Sequence, residues 1–417
     1  MLHQVGFGVK FIKDYNELNV LRFIKNYAPV SRAEISKRYS ISKAAVSDIT
    51  SRLLTQGYIR EVGVGNSTRR GGRRPILLRF NQGAGYVVAI EIKRSYARVA
   101  LLDMEAKVHD LVKANFEEGC CFDTVMQAIV PVIKRFLNSN WVQNARPIGI
   151  GIGIPGIINY DLGCIKVSDT LHNWENVPIR SLFEKEFGLK VVLENDVKTM
   201  TLGECLFGKG KNYNNLVNLW IGDGIGAGII INGALLRGVT ASAGEVGYDE
   251  LGFFIHDRAD FPLLYRGQKD FGDILSNKLL LHSAAEAIAQ GHQTSLNKGE
   301  LTLDRLIDAG EQEDPLATRL LREYANLLGI LCINLINMLN IELLVLSGEL
   351  AFKSSKLIEF VRERVHQDIL HEPAQAVKIL PGCLNEEGVV MGAAGLVLED
   401  LFYQDNINVV RYRSIFK

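Results

Sequence analysis

Cysteine is sparse and scattered in this chain of 417 residues. The six thiols are Cys120, Cys121, Cys164, Cys205, Cys332 and Cys383, and no two of them stand as Cys-x-x-Cys. That spacing indicates neither a disulfide framework nor a thiolate zinc site, and the adjacent Cys120 and Cys121 read as ordinary thiols. No apolar run reaches the roughly 18 to 20 residues that cross a bilayer. The opening Met1-Leu2-His3-Gln4-Val5-Gly6 lacks the basic stretch and apolar run of a secretory leader, so a cytoplasmic location is expected. Excess charge is missing too, since 47 Lys and Arg balance 47 Asp and Glu. What remains is the composition of a globular protein, with a length that calls for two or three domains.

The zero net charge conceals a division. Residues 1–82 carry 15 Lys or Arg against 5 Asp or Glu, a net of +10, and the rest of the chain carries the balancing −10. A basic module ahead of an acidic body points to a polyanion as the partner of the first part and not of the second.

Within residues 1–82, Asn16 to Asn26 has helical periodicity, with Leu18, Leu21, Phe23 and Ile24 at its apolar positions and Pro29 as its stop. Ser31 followed by Glu34 is a capping box that opens a second helix, running to about Tyr39. Ser42 caps a third helix, Lys43 to Gln56, ended by Gly57. Short helices joined by a tight turn, with small polar residues at the start of the last one, form a helix-turn-helix. Tyr58 to Val62 and Ile76 to Phe80 then alternate as a strand pair around a glycine-rich tip that holds Arg69, Arg70, Arg73 and Arg74, which makes a wing. The start of the third helix is expected in the major groove, which places the cap Ser42 beside it and sends Lys43, Ala44, Ser47 and Asp48 towards base edges. Ser51 and Arg52 fall further along, nearer phosphate. Arg70, Arg73 and Arg74 resemble minor-groove arms that enter narrow A·T-rich grooves.

From Gly85 the pattern becomes α/β. Two strands, Tyr86 to Ile92 and Ala97 to Asp103, lead to a third over Val108 to Phe116. An amphipathic helix, Thr124 to Leu137, precedes a buried strand, Pro147 to Ile154. A helix over Ile179 to Phe187 leads to the strand Lys190 to Leu193. Strands at Leu216 to Ile221 and Ala227 to Asn232 begin a second such unit around Gly222 to Gly228; the long helix Pro315 to Leu339 and the strand Glu342 to Leu346 follow. Glu194-Asn195-Asp196 ends an apolar strand and opens a helix, which is where α/β sheets place ligand contacts. Asp196 can accept a hydroxyl and Asn195 can donate and accept, although the same two residues can also simply cap the helix.

The chain is similar to members of the ROK family (repressors, open reading frames, kinases), in its repressor branch. The motifs are Gly151-Ile-Gly-Ile-Pro-Gly156, Trp174 to Pro178, Glu194-Asn-Asp196 with Leu202-Gly203-Glu204, Gly222 to Gly228, and Ala243-Gly244-Glu245-Val246-Gly247. The resemblance spans essentially the whole chain. It implies a winged helix-turn-helix over 1–82 and a two-lobed body of the sugar-kinase and actin type. The first lobe is expected over 83–195, completed by a C-terminal helix at about 386–403, and the second over 196–385. It implies sugar contacts from Asn195, Asp196 and Glu245, with Gly156 of the preceding glycine-rich turn, and a homodimer or dimer of dimers on operator DNA. In family kinases the aspartate is the general base, so a glucokinase-like enzyme using Asp196 is the alternative.

Departures from the family weigh against that alternative. Where its kinases carry Asp-x-Gly-Gly-Thr, this chain has Glu91-Ile92-Lys93-Arg94-Ser95, with side chains where a backbone must approach phosphate. Asp223 stands where they carry Thr, and its charge repels phosphate. No catalytic residue and no use of ATP are therefore expected. Tyr248 replaces the usual His after the Ala-Gly-Glu motif, and Asp249 to Leu281 contains no cysteine, so no zinc is expected either; His256 and His282 are too isolated to form a site. Tyr248 is expected to keep a sugar contact through its hydroxyl, and Asp273 lies near the position of the family's last sugar-contacting Glu.

Overall fold

A computed structural model describes residues 9–65, 74–139, 142, 145–171, 173–251 and 261–403. The chain opens with α1 (Val9–Tyr27), β1 (Val30–Ser31), α2 (Arg32–Tyr39) and α3 (Lys43–Thr55), followed by β2 (Ile59–Val64) and β3 (Ile76–Phe80). Ser31 and Glu34 form the reciprocal capping box of α2, and Ser42 caps α3 by accepting from Ala45 N at 3.2 Å. These caps satisfy donors that a helix start leaves unpaired. The strands pair antiparallel in the order β1-β3-β2, so the wing includes a short strand, Val30–Ser31, that the sequence pattern does not single out.

The body begins with β4 (Gly85–Ile92), β5 (Tyr96–Asp103), β6 (Val108–Asn115), α4 (Phe122–Leu137) and β7 (Arg146–Ile154). A small hairpin, β8 (Ile157–Asn159) and β9 (Cys164–Val167), precedes α5 (Ile179–Phe187) and β10 (Val191–Asn195). The first sheet reads β10-β7-β4-β5-β6, with β10, β7 and β4 parallel and β4, β5 and β6 antiparallel. Next come α6 (Asp196–Leu206), β11 (Leu216–Ile221), β12 (Ile225–Ile231), β13 (Ala234–Leu235), α7 (Phe271–Ile274), α8 (Asn277–Ala289), α9 (Leu303–Glu311) and α10 (Pro315–Leu339). The chain closes with β14 (Leu343–Ser347), α11 (Glu349–Lys353), α12 (Ser355–Asp368), α13 (His371–Ala376), β15 (Lys378–Pro381) and α14 (Gly388–Tyr403). The second sheet reads β13-β12-β11-β14-β15 and so repeats the strand order of the first. Two α/β lobes of one design are the observed architecture.

Helix α14 returns to the first lobe, lying across β7 and β4 and along α6. The approach is close: a Cβ on Gly392 would sit 1.8 Å from the Thr199 carbonyl oxygen, so only glycine lets the two helices meet there. The apolar faces then join in an unexpected way. Val20, Leu21 and Ile24 of α1, Ile49 and Leu53 of α3, and Leu78 and Phe80 of β3 belong to one buried cluster with Val87, Ala89 and Leu102 of the first sheet and Ala393, Ala394 and Val397 of α14. The basic segment is therefore joined to the first lobe and the C-terminal helix through one continuous apolar cluster, although among the described residues no helix or strand of the head packs extensively on an element of the body. Among the described residues no helix is long and apolar enough to cross a membrane.

Candidate ligand cleft and DNA-binding surface

Asn195 ends β10 and caps α6, its Oδ1 accepting from Lys198 N at 3.0 Å. Its Nδ2 donates to the Gly156 carbonyl at 3.1 Å. The capping role and the cleft position thus describe one side chain. The Oδ1 of Asp196 accepts from Val197 N at 3.0 Å, while its Oδ2 takes a bond from Lys93 Nζ at 2.7 Å.

Lys93 comes from the turn between β4 and β5. Its ammonium also lies 3.7 Å from Glu91 Oε1 and 5.1 Å from the centre of the Trp220 ring, across the cleft on β11. Burial disfavours its charge, but the Asp196 and Glu91 carboxylates outweigh burial and raise its pKa above the ordinary lysine value. Glu91 is itself buried in β4, and Arg98 Nη1 reaches it at 2.7 Å; Arg98 Nη2 reaches Glu386 at the same distance.

The second lobe supplies Glu245. Gly244 before it has φ +90, and a Cβ there would lie 1.8 Å from the Ala227 carbonyl oxygen, so the loop sits hard against β12. Buried Lys198 donates to the Ala241 carbonyl at 3.0 Å and lies 3.7 Å from Glu245 Oε1, fastening this loop to α6. Burial raises the Glu245 pKa, with Lys198 opposing it. Tyr248 donates its hydroxyl to Asp169 of the first lobe, a bond that pushes its pKa up to about 12. Behind the site, fully buried Glu194 accepts from Tyr160, from Asn195 N at 2.8 Å and from Arg237 Nε at 2.8 Å. Arg237 follows β13, so this bond also crosses between the lobes.

The resulting cleft encloses about 970 Å³ and is lined by Lys93, Gly156, Asn195, Asp196, Glu245 and Tyr248 among others. That is the upper end of the size range for small-molecule sites. Five of the six expected sugar contacts line it. Asp273 does not: it lies in the first turn of α7, its N–H on Asp270 Oδ1 at 2.9 Å, and Asp270 is the cap. Asp223 lines the far wall and is exposed. Among the described residues no three His, Cys, Asp or Glu side chains converge as a metal set. His282 pairs with Glu286 at 3.2 Å, and His256 lies outside the described residues.

Sequence reasoning passed over Arg98, Lys198 and Arg237 as well as any role for Glu194 beyond its place in the Glu194-Asn195-Asp196 motif. A signal was present for one of them, Arg98: it and its partner Glu91 are charged residues in strands otherwise buried and mostly apolar, which requires them to be paired.

On the DNA side, Ser42, Lys43, Ala44, Ser47, Asp48 and Ser51 are exposed along α3. Arg52 departs from its expected role. Its guanidinium is held by Glu17, at 2.8 Å from Nε, and by Asp48, so it ties α3 to α1 and occupies the Asp48 carboxylate as well. Its alignment along α3 is right, but the nearest anion belongs to the protein. Arg74 is exposed at the base of the wing, and Arg69, Arg70 and Arg73 lie outside the described residues.

A winged helix fused to a two-lobed body of the sugar-kinase and actin type, with a polar cleft between the lobes, is the class these features define. The sequence pattern of the ROK family matches residues 87–400, and the chain belongs to the ROK family. The xylose repressor of Caldicellulosiruptor bescii is 30% identical over 394 residues, covering 94% of this chain and 97% of that protein. A solved ROK-family transcriptional regulator, described as a homologue of the Escherichia coli MLC protein, matches with a TM-score of 0.80 at 25% identity over 94% of this chain and 97% of its own. A ROK-family glucokinase from Streptomyces griseus, solved with glucose and AMPPNP, matches with a TM-score of 0.60 at 20% identity over 75% of this chain and 99% of its own, which is a likeness of fold. The matches to the xylose repressor and to the solved transcriptional regulator thus extend over the winged helix as well as the body.

Proposed function

We propose that the protein is a sugar-responsive transcriptional repressor. The winged helix holds operator DNA, and a monosaccharide bridges Asp196 of α6 and Glu245 of the second lobe. The observation that carries this reading is the placement of the basic head on the same core as α14, which starts at the wall of the sugar cleft. A ligand that closes the lobes binds one arrangement of that core better than another, which is what shifts an equilibrium.

The same reading makes the protein a non-enzyme that needs neither ATP nor zinc. A general base must reach and take a substrate proton, and Asp196 already accepts from Lys93 at 2.7 Å. Operators are read by dimers whose half-sites repeat at about one helical turn or its multiples, so the working unit is a homodimer or a dimer of dimers in the cytoplasm. A genome-wide binding map, followed by titration of the strongest fragment with D-xylose, tests the repressor reading; a map without discrete sites overturns it. An ATP-consumption assay across pentoses, hexoses and amino sugars tests the second part. Turnover that Asp196→Asn abolishes would make the protein a kinase.

A further inference from the structure

Where a nucleotide-using relative needs glycine and open space, this cleft holds a run of ion pairs. Asp196 meets Lys93 at 2.7 Å, Lys93 lies 3.7 Å from Glu91, Glu91 meets Arg98 at 2.7 Å, and Arg98 meets Glu386 at 2.7 Å. The chain of charges starts at the expected sugar acceptor. It ends two residues before α14, in a 3-10 turn at Asn385–Glu387. The residues of α14 beyond it, Val390, Ala393, Ala394 and Val397, share their core with α1 and α3.

We propose that Lys93, Arg98 and Glu386 are positioning residues that carry ligand occupancy at Asp196 to the start of α14 and from there to the DNA head. The inference rests on the sugar-responsive reading above. Lys93 fixes the Asp196 carboxylate and touches Trp220 of the other lobe, so lobe closure and sugar contact both act on it. Glu91 and Arg98 are nearly inaccessible and transmit a shift instead of dissipating it in solvent. The last link differs in kind. The Glu386 side chain is 81% exposed, so its pair with Arg98 adds little stability and is remade at small cost. Coupling requires a network with two arrangements, and we place the change between them at this weak end. A competing route exists, because α6 starts at Asp196 and packs along α14 directly.

The test uses the full-length protein, the strongest fragment from a genome-wide binding map, and D-xylose, with D-glucose and N-acetylglucosamine as further probes. Sugar affinity is read by calorimetry and fragment affinity by anisotropy with and without sugar. Glu386→Gln cuts the exposed end and leaves the fold intact. It should keep sugar affinity within about twofold and reduce the sugar-induced change in DNA affinity by about tenfold, within the range such couplings span. Lys93→Met should weaken sugar binding about tenfold, and Lys93→Arg should restore most of it, which a purely structural lysine would not require. Unchanged coupling in Glu386→Gln overturns the proposal and assigns the signal to α6 and α14 packing. A wild-type protein that binds DNA and answers to none of the sugars overturns the sugar-responsive reading, and this proposal with it.

Discussion

Lys93 Nζ and Asp196 Oδ2 lie 2.7 Å apart, although 103 positions separate the residues in the chain. The pair keeps the carboxylate in place as an acceptor. With Oδ1 already accepting from Val197 N, a sugar hydroxyl must share an oxygen that another donor holds.

Replacing Asp196 by asparagine keeps the shape and removes the charge. A lost hydrogen bond to a charged group is worth roughly 1.5–3 kcal/mol, so Asp196→Asn should weaken sugar binding about ten- to a hundredfold. Sugar-free operator affinity should stay within about twofold, which leaves a repressor that no longer responds. Calorimetry and a gel shift measure the two halves. Wild-type sugar affinity in the variant would remove Asp196 from the site.

Glu245 gives the cleft a pH dependence. Burial raises its pKa above the usual 4.5. If the ionised form accepts from the sugar, affinity is full at neutral pH and falls as pH drops through that raised value, sooner than an exposed glutamate would allow. Glu245→Gln should bind sugar more weakly at neutral pH and flatten the profile. Sugar titrations from pH 7.5 down to pH 5 test this, and an equally steep profile in the variant would assign the proton to another group.

What the sequence made legible follows the range of the interactions. The Ser31–Glu34 capping box and the Ser42 cap are contacts over three residues, and both helix starts fall where those residues place them. The α5 limits, Ile179–Phe187, and the α10 limits, Pro315–Leu339, also agree with the periodicity. Strand ends agree less well, because pairing decides them: β2 runs on to Val64 by opposing Ile76 past an irregularity between Glu61 and Gly63. The cleft residues were legible as motifs, but their counter-charges were not. Arg98 meets Glu386 across 288 positions, and no local pattern reports that. Likewise, the apolar face of α1 announces that Leu21 and Ile24 are buried without saying against what.

The DNA surface separates by residue. Arg74 is exposed at the base of the wing, and its position there suits a phosphate or minor groove. Arg74→Ala should weaken operator binding and lower the salt slope by about one. Lys43→Ala or Ser47→Ala should instead alter preference at one position of each half-site, by about 1–3 kcal/mol if a base contact is lost. A selection experiment at fixed salt distinguishes the two classes. Uniform loss across sequences in the α3 variants would place those side chains on the backbone.

The shared core makes the head's stability a property of the body. Ile24 is fully buried and clusters with Leu53 of α3, Val87 of β4 and Val397 of α14. Truncating it opens a cavity within that cluster, at a cost of about 2–5 kcal/mol. Were the winged helix an independent module, Ile24→Ala would loosen α1 and α3 alone, and the protection of α14 against hydrogen exchange would stay at the wild-type level. A common core predicts otherwise: amide exchange in α14 and in the strands β4 and β5 should quicken together with exchange in α1 and α3. The sugar-induced change in DNA affinity should shrink in the same variant, since the packing that joins α14 to the head is loosened. Separate loss of protection in the head, with α14 and coupling unchanged, would restore the picture of a tethered, autonomous DNA-binding domain.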